Sequence, residues 1–292
     1  MTCFHPLDAY QTEDGDVVFH ERGKIRRELS LPCGRCIGCR VKRAQSWAIR
    51  CVHESRMHEV SSFVTLTYDD EHYAGPSLEY RDFQLFVKRL RKLRGGGIRF
   101  FACGEYGEEN LRPHFHALVF GTTFAARTKI GESLYRSPEL EKLWPFGMSS
   151  FGDVTYQSAG YVARYSIKKV NGDRADEHYK RINVDTGELV DCVPEFGRMS
   201  LRPGVGYSWF VRFWRDVYAA RDGCVVDGRV FPSPRYYDEL LGRSECLLSC
   251  DKDFERYLNS DKFKDDCTPE RLLVREQYVK AGINHFTKRN SI

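Results

Sequence analysis

Two runs rich in aromatic and small apolar residues, IRFFACGEY (98–106) and PHFHALVF (113–120), are separated only by the polar turn GEENLR. Segments of this kind, so close together, pair as an antiparallel hairpin with a longer loop. A β-branched and aromatic stretch precedes them, SSFVTLTY (61–68), and predicts another strand. Between that strand and the hairpin, Phe83, Phe86, Val87, Leu90 and Leu93 recur at helical spacing, with Lys88, Arg89, Arg91 and Lys92 filling the rest of the surface. Gly95-Gly96-Gly97 ends this helix, predicted over 79–93. A further helix is expected over Gln157–Val170. The order strand, helix, strand, strand, helix argues for an α+β fold with a central antiparallel sheet flanked by helices.

The flanks are read more coarsely. EDGD marks a turn and VVFH a short strand within 13–30. Arg40–Met57 lacks Gly and Pro and places Val41, Ala44, Ala48 and Cys51 on one helical face. Trp209–Arg221 predicts an aromatic-rich helix, and the glycines of the preceding RPGVG turn (202–206) give it an architectural role. The last 60 residues read as a mixed helical appendage. With hydrophobic residues at 41% and aromatics at 13%, disorder is excluded as the general state of the chain. No run approaches the roughly 18 apolar residues of a membrane span, and MTCFHPLDAY lacks the features of a secretory signal, so a cytoplasmic protein is expected.

Chemistry concentrates in two places. Within the strand RPHFHALVF, alternation sends His114 and His116 to one face and Phe115 to the other. Two adjacent imidazoles and a carboxylate make a divalent-metal site. Glu105, on the neighbouring strand, is the first choice for that carboxylate, with Glu108 and Glu109 in reserve; packed or surface histidines are the competing reading. In YVARYSIKK (161–169), helical spacing puts Tyr161, Tyr165 and Lys168 on one side. A tyrosine hydroxyl, with a pKa near ~10, needs its phenolate stabilised before it can act as a nucleophile, which a lysine and a metal-bound phosphate can do. Two tyrosines packing an amphipathic helix onto the sheet would look the same.

Cys33, Cys36 and Cys39 stand at C-x2-C-x2-C spacing. Tetrahedral zinc needs a fourth ligand, for which Cys3 is preferred over His5; an iron–sulfur cluster or plain buried thiols are the other readings. The total of 11 cysteines is odd, which rules out a complete disulfide framework within one chain. Residues 22–56 carry ten Lys or Arg against Glu28 and Glu54, whereas Arg235–Glu270 carries ten acidic and six basic residues. That asymmetry suggests a polyanionic partner on one side. Arg35, Arg40, Lys42, Arg43 and Lys169 are candidate phosphate contacts, the basic residues of 88–92 could extend the path, and Trp47 and Tyr68 could stack unpaired bases.

The stretches FVTLTYDD (63–70), GEYGEENLRPHFHALVFG (104–121) and GYVARYSIKK (160–169), with PCGRCIGCR (32–40) and MSLRPGVGYSWF (199–210), resemble the rolling-circle initiators with a His-hydrophobic-His motif, most closely the replication initiators of microviruses of the gokushovirus type. The resemblance runs over most of residues 1–215. It implies an endonuclease fold, RRM- or ferredoxin-like, over 61–222. An N-terminal Cys-rich basic segment (1–60) would pack on it, and residues 223–292 would form an appendage. It further implies Mg²⁺ or Mn²⁺ on Glu105, His114 and His116, and nicking of single-stranded origin DNA by Tyr161 or Tyr165 through a 5′-phosphotyrosine that leaves a 3′-OH primer. Lys168 would assist the chemistry, Lys169 would touch DNA, and Thr65 and Thr67 would be chiefly structural. Single-stranded DNA, a host helicase and a host polymerase are the implied partners, in an infected bacterium. A plasmid initiator or transposase would share this chemistry. A non-catalytic zinc-dependent nucleic-acid-binding protein is the reading from another class.

Overall fold

The computed structural model describes residues 3–289 apart from 74, 108, 109, 171, 173, 174, 184, 185, 220 and 221; within its elements, the side chains of 166, 168, 261, 264 and 284–289 are also outside the described set. The chain divides into two compact units, residues 1–43 with 250–292, and residues 44–249.

The first unit opens with a small antiparallel sheet in the order β2-β1-β3, built from β1 (Leu7–Thr12), β2 (Val17–Val18) and β3 (Ile25–Leu31). Of these strands, only the turn and β2 were anticipated from sequence; β3 is largely exposed and carries no apolar alternation to betray it. Helix α1 (Ile37–Ser55) starts here and continues into the second unit, three residues earlier than its sequence signal because Ile37, Gly38 and Cys39 belong to its first turn.

The second unit is built on a seven-stranded sheet, antiparallel throughout, in the order β12-β5-β6-β4-β9-β8-β7. In chain order its elements are β4 (Ser61–Thr67), α2 (Tyr80–Arg94), β5 (Arg99–Tyr106), β6 (Pro113–Phe120), β7 (Thr128–Lys129), β8 (Tyr135–Arg136), α3 (Pro138–Leu143), β9 (Ser149–Asp153), α4 (Tyr156–Ala163), α5 (Tyr165–Lys168), α6 (Ala175–His178), β10 (Lys180–Ile182), β11 (Leu189–Asp191), β12 (Phe196–Met199), α7 (Tyr207–Tyr218), β13 (Cys224–Val226), β14 (Arg229–Phe231) and α8 (Arg235–Ser244). Helices α9 (Cys246–Asp261) and α10 (Pro269–Arg289) complete the chain. The α+β class and the antiparallel sheet expected from the order of elements are both present.

Alternation along β4, β5 and β6 assigns each side chain to one of two cores. Val64, Leu66, Phe100, Ala102, Phe115, Ala117 and Val119 face α2 and α3, packing on Phe83, Phe86, Val87, Leu90 and Leu140. Phe101, Cys103, Leu118 and Phe120 face the opposite way, toward α1, α4, α7 and α8. Helix α2 starts where the Glu79 carboxylate accepts from the Arg81 N–H, and Arg91, Lys92 and Arg94 in its last turn complement the helix dipole. Leu93, on the predicted stripe but in that last turn, is exposed.

The helix expected over 157–170 is interrupted. Thr155 and Ser158 form a reciprocal capping box for α4, which ends at Ala163. The Arg164 N–H is then shared between the carbonyls of Gly160 and Tyr161, and Ile167 N–H reaches back only three residues to Arg164. These bonds tighten the path before α5.

Candidate functional site

Strand register sets the site. Glu105 lies opposite His114 across the β5–β6 hairpin, and Thr65 of β4 lies opposite His116 on the other flank. Residues directly opposite share a face, so Glu105, His114, His116, Thr65 and Thr67 all project to the α4 side. The Glu105 carboxylate oxygen stands 3.4 Å from His114 Nε2 and 3.1 Å from His116 Nε2. Ligand atoms of the three residues all lie within 4.8 Å of one another, with Glu105 and His116 buried and His114 half-buried. The reserve carboxylates Glu108 and Glu109 lie outside the described residues.

Neighbours orient both rings. His114 Nδ1 lies 3.1 Å from the Arg112 carbonyl oxygen, which can only accept, so this nitrogen carries the proton. In neutral His114 the Nε2 lone pair therefore points toward a carboxylate, an arrangement that a cation between them relieves. His116 Nδ1 is 3.0 Å from Thr65 Oγ1, and its ring is stacked on Phe63 at 5.7 Å between centroids. This is the usual way proteins turn the second nitrogen of a histidine toward a metal. Two imidazoles and a carboxylate thus fit one divalent cation.

The tyrosine helices cross this face. Tyr161 meets His116 edge-on, with centroids 4.8 Å apart, and Phe63 at 6.1 Å. The Arg164 guanidinium lies 4.8 Å from the centre of the Tyr161 ring. Tyr165 sits further across the sheet, against Phe101 of β5 and over Gly197 of β12. Gly197, Cys103 and His116 form one cross-strand row, so Gly197 is two strands, or roughly 10 Å, from His116. Tyr161 is thereby brought to the histidines and Tyr165 is set beside them. Lys168 closes α5 with its backbone, but its side chain lies outside the described residues; Lys169 caps that helix through its N–H to the Tyr165 carbonyl.

In the first unit the sulfurs of Cys3, Cys33, Cys36 and Cys39 converge within 4.8 Å of one another. His5, the other candidate, points its Nε2 at Glu276 instead, 2.9 Å away. Burial raises the Cys3 and Cys39 thiols. Burial also acts to raise Cys36, but hydrogen bonding from Phe4 and Cys39 outweighs it and draws that thiol down to about 6. Arg35, Lys42 and Arg43 are exposed in this unit, with Arg43 donating to the Gly34 carbonyl at 3.3 Å. Arg40, half-buried, joins Arg35, His5, Glu276 and Lys280 around a groove of about 540 Å³.

Two sequence expectations about nucleic-acid contacts are corrected. Helix α2 packs on the sheet face opposite His114 and His116, so Lys88, Arg89, Arg91 and Lys92 cannot line the site. Tyr68 is buried, with its hydroxyl donating to Asp82 at 2.8 Å, and Trp47 is packed between Phe101 and the Arg50 guanidinium. Aromatic residues near a basic run stack bases only if the fold leaves them exposed. Sequence reading also missed the Arg112 carbonyl, Phe63 and Arg164 as parts of the site. The strand alternation carried a signal for Phe63 alone, since it shares the parity of Thr65.

Fold and site together define a class: an antiparallel α+β protein with a two-histidine, one-carboxylate cation site faced by a helix-borne tyrosine. Residues 61–170, which contain this site, match the family of the replication-associated protein ORF2. The chain is 34% identical over 256 residues to the replication-associated protein VP4 of Bdellovibrio phage phiMH2K, covering 82% of this chain and 76% of that protein. It is 28% identical over 312 residues to the replication-associated protein ORF2 of Spiroplasma virus 4, covering 96% and 91%. Against the replication-associated protein ORF4 of Chlamydia phage 1 it is 30% identical over 251 residues, covering 79% of this chain and 57% of that protein. No solved structure matches the chain. The chain belongs to this family of phage replication-associated proteins, as a replication initiator of the gokushovirus type.

Proposed function

We propose that this initiator nicks single-stranded origin DNA through a covalent tyrosine–DNA intermediate, in the cytoplasm of the infected bacterium. The observation that carries the proposal is the edge of Tyr161 against His116, which puts the nucleophile next to the cation site. Glu105, His114 and His116 would hold one Mg²⁺ or Mn²⁺. When bound, such a cation neutralises charge developing on the non-bridging oxygens of the scissile phosphate. Two imidazole donors suit Mn²⁺ better than Mg²⁺, which prefers oxygen.

Tyr161 Oη forms a bond to phosphorus while the bond from phosphorus to the 3′ oxygen breaks. The tyrosine proton leaves, the 5′ end stays on the protein, and the 3′-OH is free to prime a host polymerase. Arg164, over the Tyr161 ring, keeps a positive charge at the hydroxyl as phenolate character grows. Tyr165 is proposed as the acceptor for a second cleavage, with Lys168 assisting. Arg35, Arg40, Lys42, Arg43 and Lys169 are proposed phosphate contacts, and a host helicase is the expected partner for strand separation. Among the described residues no helix is long and apolar enough to cross a membrane.

The test is incubation with labelled single-stranded origin hairpins and Mn²⁺, followed by a denaturing gel and peptide mapping. Trypsin cuts after Arg164, so the two tyrosines fall on separate peptides. A metal-dependent adduct on the peptide ending at Arg164 is expected, falling at least about 10³-fold in Tyr161→Phe. Intact DNA binding without any adduct would instead favour a non-catalytic nucleic-acid-binding protein.

A further inference from the structure

We propose that Cys3, Cys33, Cys36 and Cys39 bind a single Zn²⁺ that serves as the folding core of the unit made from residues 1–43 and 250–292. This goes beyond the nicking reading and does not depend on it.

Three observations converge. First, the geometry suits one ion. Zinc–thiolate bonds of about 2.3 Å place the sulfurs of a tetrahedron about 3.8 Å apart, and Cys3 Sγ and Cys36 Sγ are 3.9 Å apart. A multi-iron cluster interposes several atoms and needs its cysteines further apart. Second, backbone N–H groups are aimed at the sulfurs: Phe4 to Cys36 at 3.3 Å, Cys33 to Cys3 at 3.2 Å and Cys36 to Cys33 at 3.3 Å. Such donors stabilise thiolates, the form that binds metal. Third, the unit has little else to hold it. Its apolar cluster comprises Cys3, Phe4, Cys36 and Leu272, with Cys33, Ile37, Cys39 and Val279 packed around them, so half of the cluster is the four cysteines. The cysteines are all free thiols, and the strands alongside are mostly exposed. A unit with so small a core needs a staple, and a metal supplies it by joining the chain start, the 33–39 turn and the surface on which α10 packs.

The test uses the full chain carrying His114→Ala, which removes the other place where zinc could settle. Elemental analysis should find about one Zn²⁺ per chain, lost in Cys3→Ser and in Cys36→Ser but kept in Cys246→Ser, an exposed cysteine outside the cluster. Chelation of the His114→Ala chain, followed by hydrogen exchange, should speed exchange at least about tenfold in residues 3–43 and 250–289 while 44–249 stays protected. If a cysteine variant is insoluble, the chelation experiment decides alone. Absence of zinc, iron in its place, zinc retained by Cys36→Ser, or acceleration spread evenly over both units would overturn the proposal. DNA nicking is not read in any arm, so failure here and failure of the nicking reading are separable.

Discussion

Thr65 and the Arg112 carbonyl determine which nitrogen each histidine presents to Glu105. Loss of the Thr65 hydroxyl frees the His116 ring to rotate and removes the partner of its Nδ1, while Val preserves the strand. Thr65→Val is expected to weaken Mn²⁺ binding about 10- to 100-fold, measured by titration calorimetry, with little change in unfolding midpoint. Unchanged affinity would mean that Phe63 stacking alone orients the ring. Gly197 has a different role, that of making room. A Cβ there would stand 2.5 Å from the Tyr165 hydroxyl oxygen. Gly197→Ala should therefore displace the Tyr165 ring and cost about 1–3 kcal/mol of stability in urea unfolding. First-strand adduct formation at Tyr161 should survive; its loss together with Tyr165 would show that the two tyrosines act as one unit.

At the scale of elements, a buried carboxylate ties α1 to the sheet and to the turn before α7. Glu54 of α1 accepts from Arg99 Nε at 2.5 Å, from the Gly206 N–H at 2.6 Å and from His58 at 3.2 Å. The turn can deliver that N–H because Gly206 has φ of +84°, and a Cβ there would come 2.5 Å from the Tyr237 hydroxyl oxygen. Burial acts to raise the Glu54 carboxyl, but the hydrogen bonds from His58 and Gly206 and the Arg99 charge bring it below its ordinary value. Glu54→Gln leaves Arg99 with its charge unbalanced and should lower stability by about 2–4 kcal/mol in denaturant titration. A loss under about 0.5 kcal/mol would show that water replaces the carboxylate.

At the scale of the molecule, acid should act through two groups of the second unit. His53 is fully buried, stacked on Trp209 at 3.5 Å, and burial followed by the nearby Arg56 charge pulls its pKa down to about 3. An unfolded histidine takes its proton near ~6.5, so between that pH and about 3 the unfolded chain binds the extra proton. Stability is therefore lost as pH falls through this window, at up to about 1.4 kcal/mol per pH unit. The depressed Glu54 carboxyl adds a loss at lower pH: its contribution is present above the unfolded value near ~4.3 and disappears as pH falls through the folded one. Urea midpoints between pH 7 and 5 should fall, and His53→Phe should flatten that slope. A flat wild-type profile would place the proton elsewhere.

How far the molecule could be read in advance depended on how local each determinant is. The hairpin 98–120 is specified by its own apolar runs and short turn, and alternation alone put His114 and His116 on one face. The C-x2-C-x2-C spacing likewise grouped Cys33, Cys36 and Cys39, since residues so close in sequence can converge without help. Tertiary structure decided everything that required register or partners distant in sequence. It set Thr65 against His116, closed β12 onto β5 so that Tyr165 had a glycine to cover, and buried Tyr68 and Trp47 away from any base. It also packed Leu272 and Val279 with Cys3 and the 33–39 turn, across more than two hundred residues of intervening chain. Local sequence encodes periodicity and face because these follow from backbone geometry within a few residues; which faces meet is set by the packing of the whole chain.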